Sequence, residues 1–180
     1  MTRTLLLLAL SATVAAAQDT PFNGKDFTGW TFKGGEAKWG DALIEVELMV
    51  PKGSNSGVYV MGEYEIQVLD SFGHEKMSTG DIGALYGAAP PKVNASKAPG
   101  EWQKFVIDFR APKFDGEGKK TANAKFVKIE LNGQVVQEDV EMKGPTPGGL
   151  TGKEAATGPI MFQGDHGAVS YRNIKVSPAK

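Results

Sequence analysis

The chain has 180 residues, 20 basic and 21 acidic for a formal net charge of −1, and no cysteine. A near-neutral balance without a basic cluster excludes nucleic acid as a partner. The missing thiols exclude cysteine nucleophiles, cysteine-based zinc sites and acylation as a lipoprotein, and a small neutral ligand such as a sugar fits better.

Residues 1–17 read as a cleavable signal peptide. Arg3 supplies the positive start, Leu5 to Leu10 an apolar run too short to span a bilayer, and Ala15-Ala16-Ala17 the small-residue cleavage site. The mature chain is then 18–180, which suits one domain with a substantial core. It would be exported to the periplasm or the extracellular medium and carry no membrane segment after cleavage; its oligomeric state leaves no signal. The stretch Phe22 to Trp30, FNGKDFTGW, is turn-rich, and Trp30 and Trp39 are expected to pack, with stacking on a sugar ring as the alternative.

Ala42 to Val50 alternates, with Ile44, Val46, Leu48 and Val50 on one face and Glu45 and Glu47 on the other, as a half-buried strand does. Pro51, Lys52 and Gly53 end it. Ser54 to Ser71 follows as an apolar hairpin turning near Gly62, and its second strand points Tyr64, Ile66 and Val68 one way and Glu65 and Gln67 the other. A carboxylate at mid-strand is costly to bury, so the Glu65 face is expected to line a wet groove. By alternation alone the pair also suits the ordinary solvated face of an antiparallel sheet.

The segment Ser71 to Asp81 is a loop in which His74 beside Glu75 is too weak a pair for a metal site. Ile82 to Tyr86 is a short strand, and the proline-containing loop Ala88 to Gly100 is long enough to be a functional rim. Trp102 to Arg110 alternates with Phe105, Ile107 and Phe109 inward, and Ala124 to Leu131 with Val127, Ile129 and Leu131 inward. Asp115 to Gly118 between them is a solvated hairpin tip lacking the oxygen ligands of a calcium loop. Asn132-Gly133 marks a tight hairpin into a strand from Gln134 to Val140, and Met142 to Thr157 is again loop.

Gly158 to Gly167 runs from a strand into a Gly-bracketed turn presenting Gln163, Asp165 and His166. In the final strand, Val169 to Val176, Tyr171 and Ile174 are apolar at opposite parity. A bulge near Arg172-Asn173 follows, aiming Arg172 either at a groove or into a salt bridge. No helical period of useful length is present in the mature chain, whereas eight or more short strands are, which describes an all-β sandwich or jelly roll. Phosphate loop, Gly-x-Ser-x-Gly elbow and His-Glu-x-x-His motif are all missing.

Several stretches in order, FNGKDFTGW, Asn55-Ser56-Gly57, Tyr64 to Ser71, Gly83 to Gly87, Pro99 to Trp102, ELNG, GDHG and YRNI, resemble the 3-keto-disaccharide hydrolase domain family of exported bacterial proteins. The resemblance implies a concanavalin A-like jelly-roll β-sandwich that cleaves glycosides already oxidised to a ketone at C3. Such a ketone acidifies the C2 hydrogen, so one base can remove it and the enolate can expel the C1 substituent before water adds. The paired carboxylates of ordinary glycosidases are not needed.

On that implication Glu65 is the base, with His166 the alternative base or a metal ligand. Asn55, Gln67, Tyr86, Gln163 and Arg172 bind sugar oxygens or the developing oxyanion. No cofactor is demanded, although a divalent metal on Glu65, Asp70 and His166 would suit the ketone. Gln137 stands where the resemblance implies a His, a departure from the pattern. Because fold does not fix function, a non-catalytic, lectin-like carbohydrate-binding module is the rival reading.

Overall fold

A computed structural model describes residues 38–179. The signal-peptide segment, the Phe22 to Trp30 motif and Trp30 therefore lie outside the described residues. All regular structure among the described residues is β, as β1 (Ala42–Met49), β2 (Asn55–Val60), β3 (Tyr64–Leu69), β4 (Trp102–Arg110), β5 (Lys113–Phe114), β6 (Lys120–Ala122), β7 (Ala124–Leu131), β8 (Gln134–Met142), β9 (Met161–Phe162) and β10 (Ser170–Pro178).

Period-two alternation builds the larger sheet, five antiparallel strands in the order β10-β1-β4-β7-β8. Its register sets Ile44 between Ile107 and Val176, and Val46 opposite Phe105, so one whole face is apolar. The smaller sheet runs β3-β2-β9, all antiparallel. Val58, Val60, Tyr64, Ile66 and Val68 on its inner face are buried with Ile44, Val46, Leu48, Phe105, Ile107 and Phe109 of the larger sheet. This is the sandwich of a concanavalin A-like jelly roll. An aromatic cluster fills one part of the core: Tyr64 lies 5.5 Å from Phe109 and edge-on to Phe126 at 6.5 Å, and Phe109 lies 5.0 Å from Phe126.

Local chemistry accounts for the turns. Asn132 and Gly133 both have positive φ, 54° and 81°, the requirement of the tight turn joining β7 to β8. Asp115 accepts the N–H groups of Glu117 and Lys119 and closes the β5-β6 tip as the sequence predicts. The expected bulge in β10 is present: Glu45 pairs Lys175 while Glu47 pairs Arg172, and Asn173 has φ 51°. The extra residue lets Tyr171 and Ile174 both turn inward.

Two expectations need correction. Val127 does not face the core; the β4-β7 register slips beside it, and Phe126 takes the buried position while Val127 is half-buried. A larger aromatic ring thus wins the inward place at the expense of strict alternation. Ile82 to Tyr86 is not a full strand but makes two isolated bridges through Leu85, to Ile66 and to Ala89, the first supported by Gln67 N–H to Ala84 O, Gly83 N–H to Gln67 O and Tyr86 N–H to Glu65 O. The Ala88 to Gly100 loop closes the side of the sandwich, with Lys92 N–H bonded to Val136 O.

Trp39 is half-buried against the core and bridges Gly158, the packing fate expected of it. Phe109 sits at the centre of the aromatic cluster and is fully buried. Phe109→Ala should lower unfolding free energy by about 3–5 kcal/mol in urea titrations, with an unchanged m-value.

Candidate functional site

The outer face of the smaller sheet is where polar side chains collect, and the register shows how. Tyr59 pairs with Glu65 on one side and Met161 on the other, and Gly57 pairs with Gln67. Gln163 continues the Gly57 row through its N–H to Gly57 O, and Tyr86 continues the Glu65 row through its N–H to Glu65 O. Directly opposed residues share a face, so Tyr59, Glu65 and Tyr86 form one row and Gln163, Gly57 and Gln67 the next. Asn55 adjoins them, its Oδ1 accepting from Gln67 Nε2 at 3.0 Å. Five of the sequence-predicted residues, Asn55, Glu65, Gln67, Tyr86 and Gln163, are thereby brought together.

The expectation of a wet groove fails at Glu65 itself, which is only 3% exposed, and Gln67 is 4% exposed. It holds at the rim, where Tyr86 is 38% exposed and Asn55 and Gln163 are half-buried. Gly57 explains how the carboxylate fits. A methyl at Gly57 would collide with Glu65 Oε1 and stand 2.9 Å from Tyr59 Cε2 and 3.0 Å from Glu65 Cδ. The bare backbone is therefore a notch in which the carboxylate and the Tyr59 ring meet.

Burial raises the Glu65 carboxyl above its ordinary value, and a hydrogen bond from Tyr59 and the charge of His166 only partly offset this. Tyr59, 1% exposed, has its phenol pushed up by burial and by the Glu65 carboxylate, so it remains a protonated donor.

Two loops wall the face. Thr146 Oγ1 accepts Glu65 N–H at 2.9 Å and donates to Glu63 O at 3.1 Å. The buried Glu63 carboxylate accepts Thr151 N–H, Thr151 Oγ1–H and Gly152 N–H at 2.7–2.9 Å. These bonds fasten the Met142 to Thr157 loop so that Gly148 lies against the Tyr59 hydroxyl. The second loop carries exposed His166, whose Nδ1 lies 2.7 Å from Asp165 Oδ1. Ser56 Oγ donates to Gln163 O at 2.6 Å and contacts Tyr171 OH at 2.7 Å, tying this loop to β10 across the sandwich.

Arg172 is not part of the constellation. It lies on the outer face of the larger sheet, its Nε donating to Glu47 at 2.6 Å and its guanidinium 3.8 Å from the Trp102 ring centroid. A shallow groove of about 440 Å³ does adjoin it there. The thickness of the sandwich, about 10 Å between sheets, separates that groove from Glu65, so the salt bridge expected as the alternative is the one found. That bond holds Glu47 below the usual carboxylate range.

Asp70 is also apart: its Oδ2 accepts Gly53 N–H at 2.9 Å and closes the turn before β2. Among the described residues no three His, Asp or Glu side chains converge as a metal centre requires. Glu65, Asp70 and His166 thus do not fit a three-ligand set. His74, paired with buried Asp81 at 2.6 Å, is a loop fastener. Gln137 is buried with its Nε2 donating to the carbonyls of Gly83, Ala89 and Pro90, so it positions the segment behind Tyr86.

Sequence reasoning missed Tyr59, Gly57, Glu63 and Thr146. Gly57 did carry a signal, since an isolated glycine inside a strand marks a close approach. Glu63 and Thr146, 83 residues apart, carried none. The arrangement supplies a dry, basic carboxylate beneath a rim of amide and hydroxyl groups suited to a polyhydroxylated ligand.

Comparison with known proteins places the chain among carbohydrate-active families. The family described as the 3-keto-alpha-glucoside-1,2-lyase-like domain matches residues 35–177. A candidate glycosyl hydrolase from Parabacteroides distasonis ATCC 8503 is similar with a TM-score of 0.76 at 26% identity, covering 89% of this chain and 83% of its own. A second from the same organism shares the fold, with a TM-score of 0.61 at 19% identity over 91% and 94% of the two chains. No curated protein is significantly similar to the chain.

The notch yields a test by double substitution. Gly57→Ala should cost about 1–3 kcal/mol through forced displacement of Glu65 and Tyr59, and the cost should shrink in a Glu65→Ala background, where the carboxylate no longer occupies the space. Equal costs in the two backgrounds, measured by denaturation, would show that Glu65 does not fill the notch.

Proposed function

The chain belongs to the 3-keto-alpha-glucoside-1,2-lyase-like domain family, whose chemistry is carbohydrate-active, and from that premise we propose that it cleaves the glycosidic bond of 3-keto-disaccharides or related 3-keto-glycosides. The observation that carries the proposal is Glu65, a carboxylate buried at the floor of the one sheet face that gathers Asn55, Gln67, Tyr86 and Gln163.

Glu65 takes the C2 proton. The electron pair left behind is delocalised onto the C3 oxygen, and the amides of Gln67, Gln163 and Asn55 are the nearby groups able to donate to sugar oxygens and to that oxyanion. Collapse of the enolate breaks the C1–O bond while the departing oxygen takes a proton from His166, and water adds to the unsaturated ketone, its hydroxyl to C1 and the proton held by Glu65 returned to C2, which completes a net hydrolysis. A desolvated carboxylate with a raised pKa is a stronger base than an exposed one, which is what abstraction from carbon requires. His166, held by Asp165, is the second acid–base group, placed where its charge reaches Glu65. Arg172 and Asp70 have no part, and no step passes through a metal. We further propose that residues 1–17 direct export, so the substrate is met in the periplasm or outside the cell.

Release of monosaccharide from 3-keto-disaccharides and not from their unoxidised counterparts is the expected assay result; binding of both without turnover would establish a lectin-like module instead. Glu65→Gln should lower kcat by about 10²-fold or more, with KM changed much less. Glu45→Gln should match wild type, because Glu45 lies on the far sheet and, among the described residues, its carboxylate bonds Lys104.

The rate should rise with pH through an inflection above the ordinary carboxyl value of 4.5. The stability consequence has a definite sign. Since the folded carboxyl holds its proton more tightly than the unfolded one, stability is greatest below the unfolded value and falls as pH rises through the folded one. Glu65→Gln should therefore melt above wild type at neutral pH, the gap closing in acid.

A further inference from the structure

Tyr59 is buried beside Glu65 and takes no part in the scheme above. It lies directly opposite Glu65 in the β2-β3 register, and both side chains lean over Gly57. Its hydroxyl is pinned from above by Gly148, where an added methyl would stand 2.9 Å from the oxygen. The phenol therefore has little freedom, and the carboxylate is the charged group within its reach. We infer that Tyr59 is the positioning residue of the reaction: its O–H bond fixes the rotamer of the Glu65 carboxylate in the notch and keeps that carboxylate ionised at working pH.

Physical reasons favour this assignment over simple packing. A buried carboxylate without a donor would take up a proton rather than remain charged, and a protonated Glu65 cannot accept hydrogen from carbon. The peptide N–H of Glu65 is already given to Thr146 and lies in the backbone, so it cannot orient the side chain. Other titratable groups around the pair are His166 and Tyr171, which interact electrostatically with Glu65, and Asp165 and Tyr86, which act on Tyr59. Tyr171 OH contacts Ser56 Oγ instead, and His166 and Asp165 are exposed and solvated. Tyr59 alone among these is fully buried and stands directly opposite Glu65 over the Gly57 notch.

The inference rests on the reading of Glu65 as base, and the test separates the two. Tyr59→Phe removes one oxygen and keeps the ring. On an aryl 3-keto-glucoside, kcat/KM at a pH below the wild-type inflection should fall about tenfold because less of the carboxylate is ionised. Activity should recover as pH rises and the inflection should move to higher pH, with KM little changed.

A structural role predicts the opposite pattern, a loss of similar size at every pH, or no loss; either result overturns the assignment. Should Tyr59→Phe fail to fold, site-specific replacement of Tyr59 by 3-fluorotyrosine, a stronger donor of the same shape, should move the inflection to lower pH, and an unmoved inflection overturns the assignment equally. In the same assay an active Glu65→Gln variant would remove the base itself. An inactive one beside a Tyr59→Phe variant lacking pH-dependent loss would remove Tyr59 alone.

Discussion

Housing one ionisable carboxylate in a nearly dry sheet face is the constraint that the rest of the structure serves. Water would solvate a carboxylate at no structural cost, and a dry interior would neutralise it. Glu65 sits between these limits because three features converge: a glycine across the hairpin that makes room, a phenol that donates, and a loop threonine that holds the adjacent peptide. None is local to Glu65 in the sense of a turn or a cap. Two come from the facing strand and one from a segment 81 residues later.

The smaller sheet therefore has two different jobs on its two faces. Its inner face, Val58, Val60, Ile66 and Val68, supplies half of the core and holds the strands in register. That register, in turn, fixes which outer residues stand side by side, because a slip of one position would exchange the faces. Rigidity in the core is thus converted into placement of Asn55, Tyr59, Glu65 and Gln67, and the larger sheet contributes through Tyr171 and Gln137, which reach across to Ser56 and to the segment behind Tyr86. Sites built on strands keep their geometry better than sites built on loops.

Much of this could be read from residues alone. Strict alternation in Ala42 to Met49 and Trp102 to Arg110 located two strands, and Asn132-Gly133 located a hairpin, because each is a local effect of side-chain direction or of positive φ. The parity conflict between Tyr171 and Ile174 likewise gave the bulge. What could not be read was which sheet Arg172 would face, since a bulge sets a direction relative to its own strand only. Val127 failed for a related reason: alternation assumes an unbroken register, and the slip beside Phe126 is decided by the fit of an aromatic ring against Phe109. Glu65 was found as a residue but misjudged in its surroundings, because charge alone argues for water and only partners distant in sequence argue against it.

The segment from Gln163 to Ala168 is held at both ends by serines of β2 and the turn before it. Ser56 Oγ bonds Gln163 O at 2.6 Å and Ser54 Oγ bonds Ala168 O at 2.6 Å, with Gln163 N–H also bonded to Gly57 O. Every one of these clamps grips the backbone of the segment, and none depends on the side chains of Gly164, Asp165 or His166. The scaffold thus sets the path of this segment independently of the side chains it carries. The position of His166 beside the Glu65 face is therefore set by two serines of β2 and the turn before it rather than by contacts of the histidine itself.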